Sequence, residues 1–399
     1  MPDIGSIDDL GELAGKSVLV RVDLNVPVVG GKITDDSRIR AHIPTIRKLL
    51  DSGARVLLLS HFGRPGGKPV EDLSLAPLAE PLAELAGADV RFIGALIGEG
   101  GEAEIEAASE PVILLENVRF YPGEALNDAD LARAFAGLGE AFVNDAFSAA
   151  HRAHASTVGL ARLLPSVAGD SMLREIEALE AVLGNPERPL AAVVGGAKVS
   201  SKLGVLEHLV SRVDHLIIGG GMANTFLEAQ GIEVGASLSE HEMKAAALAI
   251  LEKAATGGCQ VHLPSDVVVA RKLKAGAETR IIPVAEVARD EMILDLGPRS
   301  VEALTGLLGQ VKTLIWNGPL GAFEVPPFDK GTVALARAAA ELSGAGKLLT
   351  VAGGGDTAAA LDQAGVREQF DHVSIAGGAF LDWMAGKELP AITALGSSG

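Results

Sequence analysis

Short apolar runs recur along the chain, each followed by a polar or glycine-rich turn and then by apolar residues at helical spacing. Leu190 to Val194 is the plainest of them, leading through Gly195-Gly-Ala-Lys-Val-Ser-Ser-Lys202 into Leu203 to Val210. Val56 to Leu59, Val112 to Leu115, Ala141 to Val143 and Val267 to Ala270 also read as strands, as do the runs that include Ile217, Leu314, Leu348 and Val373. Ser17 to Asn25 alternates, with Arg21, Asp23 and Asn25 on one face and Val20, Val22 and Leu24 on the other. Asp35 to Leu50, Pro77 to Ala86 and Ala129 to Leu138 read as helices, the first capped by Asp35 or Asp36. Strand, turn and helix in repetition predict an α/β fold with parallel, doubly wound sheets. Ligands of such sheets sit outside the carboxyl ends of the strands. Asp170 to Leu183 reads as a long amphipathic helix ended by Gly184-Asn185-Pro186. It is expected to connect two halves, or else to be an ordinary crossover helix.

The residues just past each run divide the chain chemically. In the first half the strand exits and helix starts deliver Arg21, Arg38, His61, Arg64, Arg119 and Arg152. One such arginine is an ordinary surface ion pair. Six in equivalent places point to a bound anion, and arginine's planar fork suits phosphate and carboxylate. His151 and His154 read as loop histidines. In the second half the exits offer glycine instead: Gly195-Gly196, Gly219-Gly220-Gly221, Asn317-Gly318-Pro319 and Gly353-Gly354-Gly355. Glycine lets backbone N–H groups approach a ligand, and a helix start adds unpaired donors. Lys198 and Lys202, four apart, would share a face if the helix began there. Asp356 could reach a Mg²⁺ ion directly or through water. A glycine triplet also serves tight packing. The stretch Gly11 to Ser17 imitates a P-loop but is one residue short and precedes a strand. The dinucleotide fingerprint Gly-x-Gly-x-x-Gly is absent.

Composition narrows the reading. A chain of 399 residues suggests two domains or three. A net charge of −18 disfavours nucleic acid and anionic membranes as partners. Cys259 is the only cysteine, which excludes an internal disulfide and fits a reducing, cytoplasmic setting. Met1 to Leu10 carries three aspartates and no basic region, so no signal peptide is expected, and Gly396 to Gly399 reads as a frayed tail. Cations for a small anion in one half and a glycine cradle with two lysines in the other suggest phosphoryl transfer between a small acid and ATP or ADP. A carboxylate acceptor is already ionised at neutral pH, so no general base is needed.

Nine stretches in order carry a family resemblance: Arg21 to Pro27, Asp36 to Arg40, Ser60 to Pro65, Glu116 to Phe120, Asn144 to Phe147, His151 to Ser156, Gly195 to Ser200, Trp316 to Pro319 and Gly353 to Thr357. From end to end the chain resembles phosphoglycerate kinases. The resemblance implies two Rossmann-like domains, each with a mostly parallel doubly wound sheet, joined by a long helix with a cleft between them. Residues 1–170, with a returning tail at about 388–399, would bind 3-phosphoglycerate. Residues 171–387 would bind Mg-nucleotide, with 170–184 as the connecting helix. The implied reaction is 1,3-bisphosphoglycerate plus ADP giving 3-phosphoglycerate plus ATP, reversibly, by in-line transfer after domain closure in a monomer.

Carried over by position, Asp23 and Asn25 would fix the hydroxyl and carboxyl end of the glycerate, while His61, Arg64, Arg119 and Arg152 grip its phosphate. Leu24, Phe62 and Gly63 join these substrate contacts. Arg38 would orient the reacting carboxyl group, and Lys198 would follow the phosphoryl group in transit. Lys202 would bind nucleotide phosphate, Asn317 would lie near the phosphates or ribose, and Glu324 would accept from ribose hydroxyls. Gly354, Gly355 and Thr357 would cradle phosphate, with Asp356 on Mg²⁺, and Gly196, Gly220 and Gly297 complete the nucleotide set. The family commonly reads Ser-Thr-Gly-Gly-Gly-Ala near its end, whereas here the stretch is Ser374-Ile-Ala-Gly-Gly-Ala379. Ile375 lacks the hydroxyl and Ala376 the freedom of glycine. Two alternatives stay open: a kinase forming an acyl phosphate on another carboxylate, and a catalytically inactive two-domain binding protein.

Overall fold

The computed structural model describes residues 4–396, so Ser397 to Gly399 of the expected tail lie outside the described residues, and Gly396 ends the last helix. The chain divides into two compact units, residues 1–177 with 388–399 and residues 178–387.

The first unit is built on β1 (Ser17–Arg21), the hairpin of β2 (Val28–Val29) and β3 (Lys32–Ile33), α1 (Ser37–Asp51), β4 (Arg55–Leu59), α2 (Ala79–Ala86), β5 (Val90–Ile93), α3 (Gly101–Ala107), β6 (Val112–Leu115), α4 (Ala129–Ala136), β7 (Ala141–Asn144), β8 (Ser166–Ala168) and the start of α5 (Asp170–Leu179). Its sheet runs β5-β6-β4-β1-β7-β8, parallel throughout. The strands are nearly continuous Val, Leu and Ile because helices cover both faces. The alternating run that began at Ser17 stops pairing at Arg21, four residues short of the expected Asn25. Beyond it the chain curls over the sheet end, which is what frees Asp23 and Asn25 for other contacts.

The second unit holds β9 (Leu190–Val194), α6 (Leu203–Leu209), β10 (His215–Ile218), α7 (Gly221–Ala229), α8 (Lys244–Gly257), β11 (Gln260–His262), β12 (Asp266–Ala270), β13 (Arg280–Pro283), β14 (Met292–Leu296), α9 (Pro298–Leu308), β15 (Thr313–Asn317), α10 (Lys330–Gly344), β16 (Leu349–Gly353), α11 (Gly355–Ala364), β17 (His372–Ser374) and α12 (Gly377–Met384). The main sheet runs β11-β10-β9-β15-β16-β17, again parallel. Taking these six strands in chain order, the arrangement is 3-2-1-4-5-6, and its switch point falls between β9 and β15. A separate antiparallel sheet, β13-β12-β14, was not foreseen.

The expected connecting helix is α-helical only over α5, and Glu180–Gly184 continues it as a π-helical turn. The boundary between the units falls inside α5. The last helix, α13 (Pro390–Leu395), belongs to the first unit, where Ala391 N donates to Ala150 O at 3.1 Å.

Candidate active site

In the first unit the polar groups gather past β1 and β4. Asp23 is buried, and its carboxylate accepts from Ser148 Oγ (2.5 Å), Asn25 N (3.0 Å) and Arg38 Nη1 (3.2 Å). Arg38, in the first turn of α1, also donates to Asn25 O at 2.8 Å. Asn25 Oδ1 accepts from Gly63 N at 2.8 Å. His61 lies with Nε2 3.9 Å from Asp23 Oδ1 and Nδ1 3.2 Å from Arg21 Nη2. A guanidinium only donates, so Nδ1 is the acceptor and Nε2 carries the proton. Burial works against the charge on Asp23, but His61, Arg38, the Ser148 hydroxyl and the Asn25 amide overcome it and hold the carboxyl below the usual carboxylate range. Burial pushes the His61 imidazole well below its ordinary value despite Asp23, and Arg21, Arg119 and Arg38 push it further. The ligand-free site therefore pairs an ionised Asp23 with a neutral His61.

Arg64, Arg119 and Arg152 line a cavity of about 380 Å³ together with Glu124 and His154. Arg119 is pushed down to about 10 by burial and by the charges of Arg21, Arg152 and Arg64. Arg21 differs from the other cations in being almost fully buried. It donates to Ser156 Oγ (2.9 Å) and Val22 O (2.5 Å), so it supports the site from beneath rather than facing a ligand. The Leu24 side chain is buried in the core and its N–H donates to Ser60 Oγ (2.9 Å). Phe62 packs against the same core while Asn117 brackets its backbone. Leu24 and Phe62 thus shape the loops from behind. His151 Nε2 accepts from Arg152 Nε (3.0 Å), and His154 Nδ1 lies 3.6 Å from Glu124.

In the second unit three turns interlock at the switch point. Gly195 N donates to Asn317 O (2.9 Å), Gly220 N to Leu320 O (2.8 Å), and Met222 N to Gly196 O (3.0 Å). Gly220 has φ +66, and a Cβ there would sit 2.7 Å from Gly196 O. The cradle is closed by backbone against backbone, and only glycine fits. Helix α6 begins at Leu203, where the helical spacing starts, so Lys198 and Lys202 lie in the preceding turn and share no helix face. Lys198 is exposed, whereas Lys202 folds back to donate to Gly195 O (2.7 Å) and Asn317 O (3.2 Å). Burial pushes Lys202 down to about 8, with Asp356 opposing.

Next to these turns is a cavity of about 350 Å³. Gly196, Gly220, Glu324 and Asp356 line it, and its apolar wall includes Leu238, Leu273 and Met292. Gly354 and Gly355 lead into α11, whose first turn carries Asp356, exposed, and Thr357, buried. The Thr357 hydroxyl is spent inside the protein, donating to Gly353 O (2.8 Å) and accepting from Gly318 N (2.7 Å). What this turn offers a phosphate is backbone N–H at a helix start. The buried Asn317 donates through Nδ2 to Gly353 O (2.6 Å). Gly297 is buried at the start of α9, against the Asp266 carboxylate and outside the cavity wall. Ala376 has φ −105 and donates to Ser374 Oγ (3.2 Å), so this backbone needs no glycine.

A family model described as "Phosphoglycerate kinase" matches residues 7–387. The chain belongs to the phosphoglycerate kinase family. Membership of that family makes it a phosphotransferase. Curated phosphoglycerate kinases from Zymomonas mobilis and Rhizorhabdus wittichii are each 60% identical, over 391 and 392 residues and 98% of both chains. The solved structure of phosphoglycerate kinase from Coxiella burnetii superposes with a TM-score of 0.91 at 45% identity, covering 98% of this chain and 99% of that one. Kinases of this family use ATP or ADP with a metal ion. Among the described residues no cluster of three or more His, Cys, Asp or Glu could hold a metal. The lone exposed carboxylate of Asp356 at this cavity still suits Mg²⁺, which takes one or two carboxylates and completes its shell with phosphates and water. No helix among the described residues is long and apolar enough to cross a membrane.

Several residues that complete the sites went unnoticed in the sequence. Ser148 donates to the Asp23 carboxylate and Glu124 lines the arginine cavity, and neither stands directly after an apolar run. Asp295, on β14, lines the cavity of the second unit, where burial raises its carboxyl to about 7. The signal was there in Met292 to Leu296, where one acid interrupts an apolar run.

Proposed function

We propose that the first unit binds 3-phosphoglycerate or 1,3-bisphosphoglycerate and the second binds ADP or ATP with Mg²⁺. The reaction moves a phosphoryl group from the acyl phosphate to ADP, giving 3-phosphoglycerate and ATP, and runs in reverse. The observation that carries this is the cation cluster of Arg64, Arg119 and Arg152, in whose cavity wall three guanidinium groups face the single carboxylate of Glu124. An anionic phosphate would offset the burial and the repulsion that together depress Arg119. With Nδ1 committed to Arg21, the neutral His61 would offer its Nε2–H as donor. Arg38, already on Asp23 and Asn25 O, would orient the acceptor carboxylate. Exposed Lys198 is unencumbered enough to follow the phosphoryl group. Lys202 and the N–H groups of Gly355 to Thr357 would take the nucleotide phosphates, and Glu324 the ribose. Asp356 would hold Mg²⁺, which neutralises phosphate charge when bound. The chemistry needs positioning and charge neutralisation and no general base. Transfer needs the two substrates brought in line. A single copy working in the cytoplasm fits the buried lone Cys259 and the acidic surface.

The test is ATP consumption with 3-phosphoglycerate and Mg²⁺, coupled to reduction of the acyl phosphate, beside Arg38→Ala. Turnover that falls at least a hundredfold in a folded variant is the expected result, equivalent to ~2.7 kcal/mol of lost transition-state stabilisation. Absence of turnover in a wild-type protein that binds ATP would refute this substrate assignment, and a screen of other carboxylates would follow.

A further inference from the structure

Arg38, His42 and Thr45 follow one another on α1 at spacings of four and three, which puts them on one face. Arg38 holds the Asp23 carboxylate. His42, 2% exposed, accepts from Asp23 N through Nε2 (3.0 Å), and its Nδ1 lies 2.7 Å from Asp145 Oδ2. A backbone N–H only donates, so Nε2 carries no proton and Nδ1–H donates to Asp145. Asp145, 0% exposed, uses its other oxygen to accept from Ser171 N (2.8 Å) and Met172 N (3.1 Å) in the first turn of α5. Thr45 Oγ1 accepts from Asp170 N (2.9 Å) at the same helix start. One face of α1 thus runs from the substrate contacts to the beginning of the helix in which the unit boundary falls.

We propose that His42 is a positioning residue: a single imidazole tautomer ties the backbone of Asp23 to Asp145 and the first turn of α5. This rests on the reading that Asp23 binds the glycerate. A histidine that merely filled a buried polar gap would lower stability and leave substrate recognition alone. The tie instead fixes where the Asp23 carboxylate points, through a contact that involves neither ligand. Asp145→Asn separates the two ends of the tie. The amide keeps an acceptor for Ser171 and Met172 but presents N–H to Nδ1. The ring must then move its proton to Nε2, where it opposes the Asp23 N–H.

The experiment is steady-state kinetics of full-length His42→Ala, His42→Gln, Asp145→Asn and the double variant His42→Ala/Asp145→Asn, with thermal unfolding of each. Loss of one positioning hydrogen bond predicts that His42→Ala raises KM for 3-phosphoglycerate about threefold to tenfold, with kcat and KM for ATP nearly unchanged. Asp145→Asn should match it, and the double variant should be no worse than either. Glutamine carries an acceptor and a donor about as far apart as the two ring nitrogens and should recover part of the loss. Amide hydrogen exchange of the ligand-free protein supplies a readout independent of turnover: His42→Ala should speed exchange at Asp23 and at Ser171-Met172 together. An unchanged KM for 3-phosphoglycerate, or exchange that rises at one end only, overturns the proposal. Should the wild type fail to use 3-phosphoglycerate, the substrate reading falls, and the exchange result alone decides whether the tie exists.

Discussion

Raising the pH from 7 to 9 should weaken nucleotide binding about tenfold, because Lys202 loses its proton in that interval. In the ligand-free protein its ammonium is held by two carbonyls, Gly195 O and Asn317 O, and burial lowers it from 10.5 to about 8. About nine-tenths of the protein carries the charge at pH 7 and about one-tenth at pH 9. A polyphosphate beside it restores the ordinary value, so binding at pH 8 should take up about half a proton. Titration calorimetry with ADP and Mg²⁺ in two buffers of different ionisation enthalpy reads that uptake directly, and Lys202→Met should abolish it. Affinity flat from pH 7 to 9 with no proton uptake would refute the reasoning. The shift also affects folding. Between pH 8 and 10.5 the unfolded chain holds more protons at this residue than the folded one. The cost of burying the charge is therefore carried in full below pH 8 and shed as pH rises towards 10.5.

Other perturbations follow from the same geometry. Gly220→Ala forces a side chain into φ +66 and against Gly196 O, costing on the order of 1–2 kcal/mol and distorting the cradle. Calorimetry should show nucleotide affinity falling while binding of 3-phosphoglycerate holds. Asp295, raised to about 7 by burial with Asp329 adding and the Gly331 and Leu296 amides opposing, holds its proton in the folded state across a range where the unfolded chain has lost it. Its contribution to stability is therefore fully present below pH 3.8 and lost as pH rises through 7. Unfolding of wild type should shift down by a few degrees between pH 5 and 8, whereas Asp295→Asn should lack that dependence. Ile375→Thr with Ala376→Gly should alter turnover more than nucleotide affinity, and stopped-flow turnover beside ADP titration separates the two.

Apolar runs made the central strands legible. Val112 to Leu115 and Leu190 to Val194 begin and end where they were read. Three edge strands escaped because they carry polar residues or are very short: Val90–Ile93 includes Arg91, Arg280–Pro283 is mostly exposed, and Ser166–Ala168 has three residues, whereas the equally short edge strand His372–Ser374 was legible from Val373. Site residues at strand exits could be read because topology places all such exits at one sheet end. Side-chain direction could not. Thr357 and Asn317 turn inward to hold neighbouring turns, and Lys202 folds back on two carbonyls, because buried backbone groups there need partners. His42 and Asp145 lie 103 residues apart, and a pairing at that separation leaves no local pattern to read.

The return of α13 to the first unit has a consequence for how the protein is made. The second unit is one uninterrupted stretch, whereas the first needs residues on both sides of it. A ribosome must therefore complete the second unit before it can supply the helix that bonds to Ala150. Until then Ala391, Ile392, Ala394 and Leu395, all buried in the finished protein, have yet to cover their place. The nascent first unit waits, with its last surface open, for about half the chain to be translated, which makes that surface the natural point for chaperone capture during synthesis.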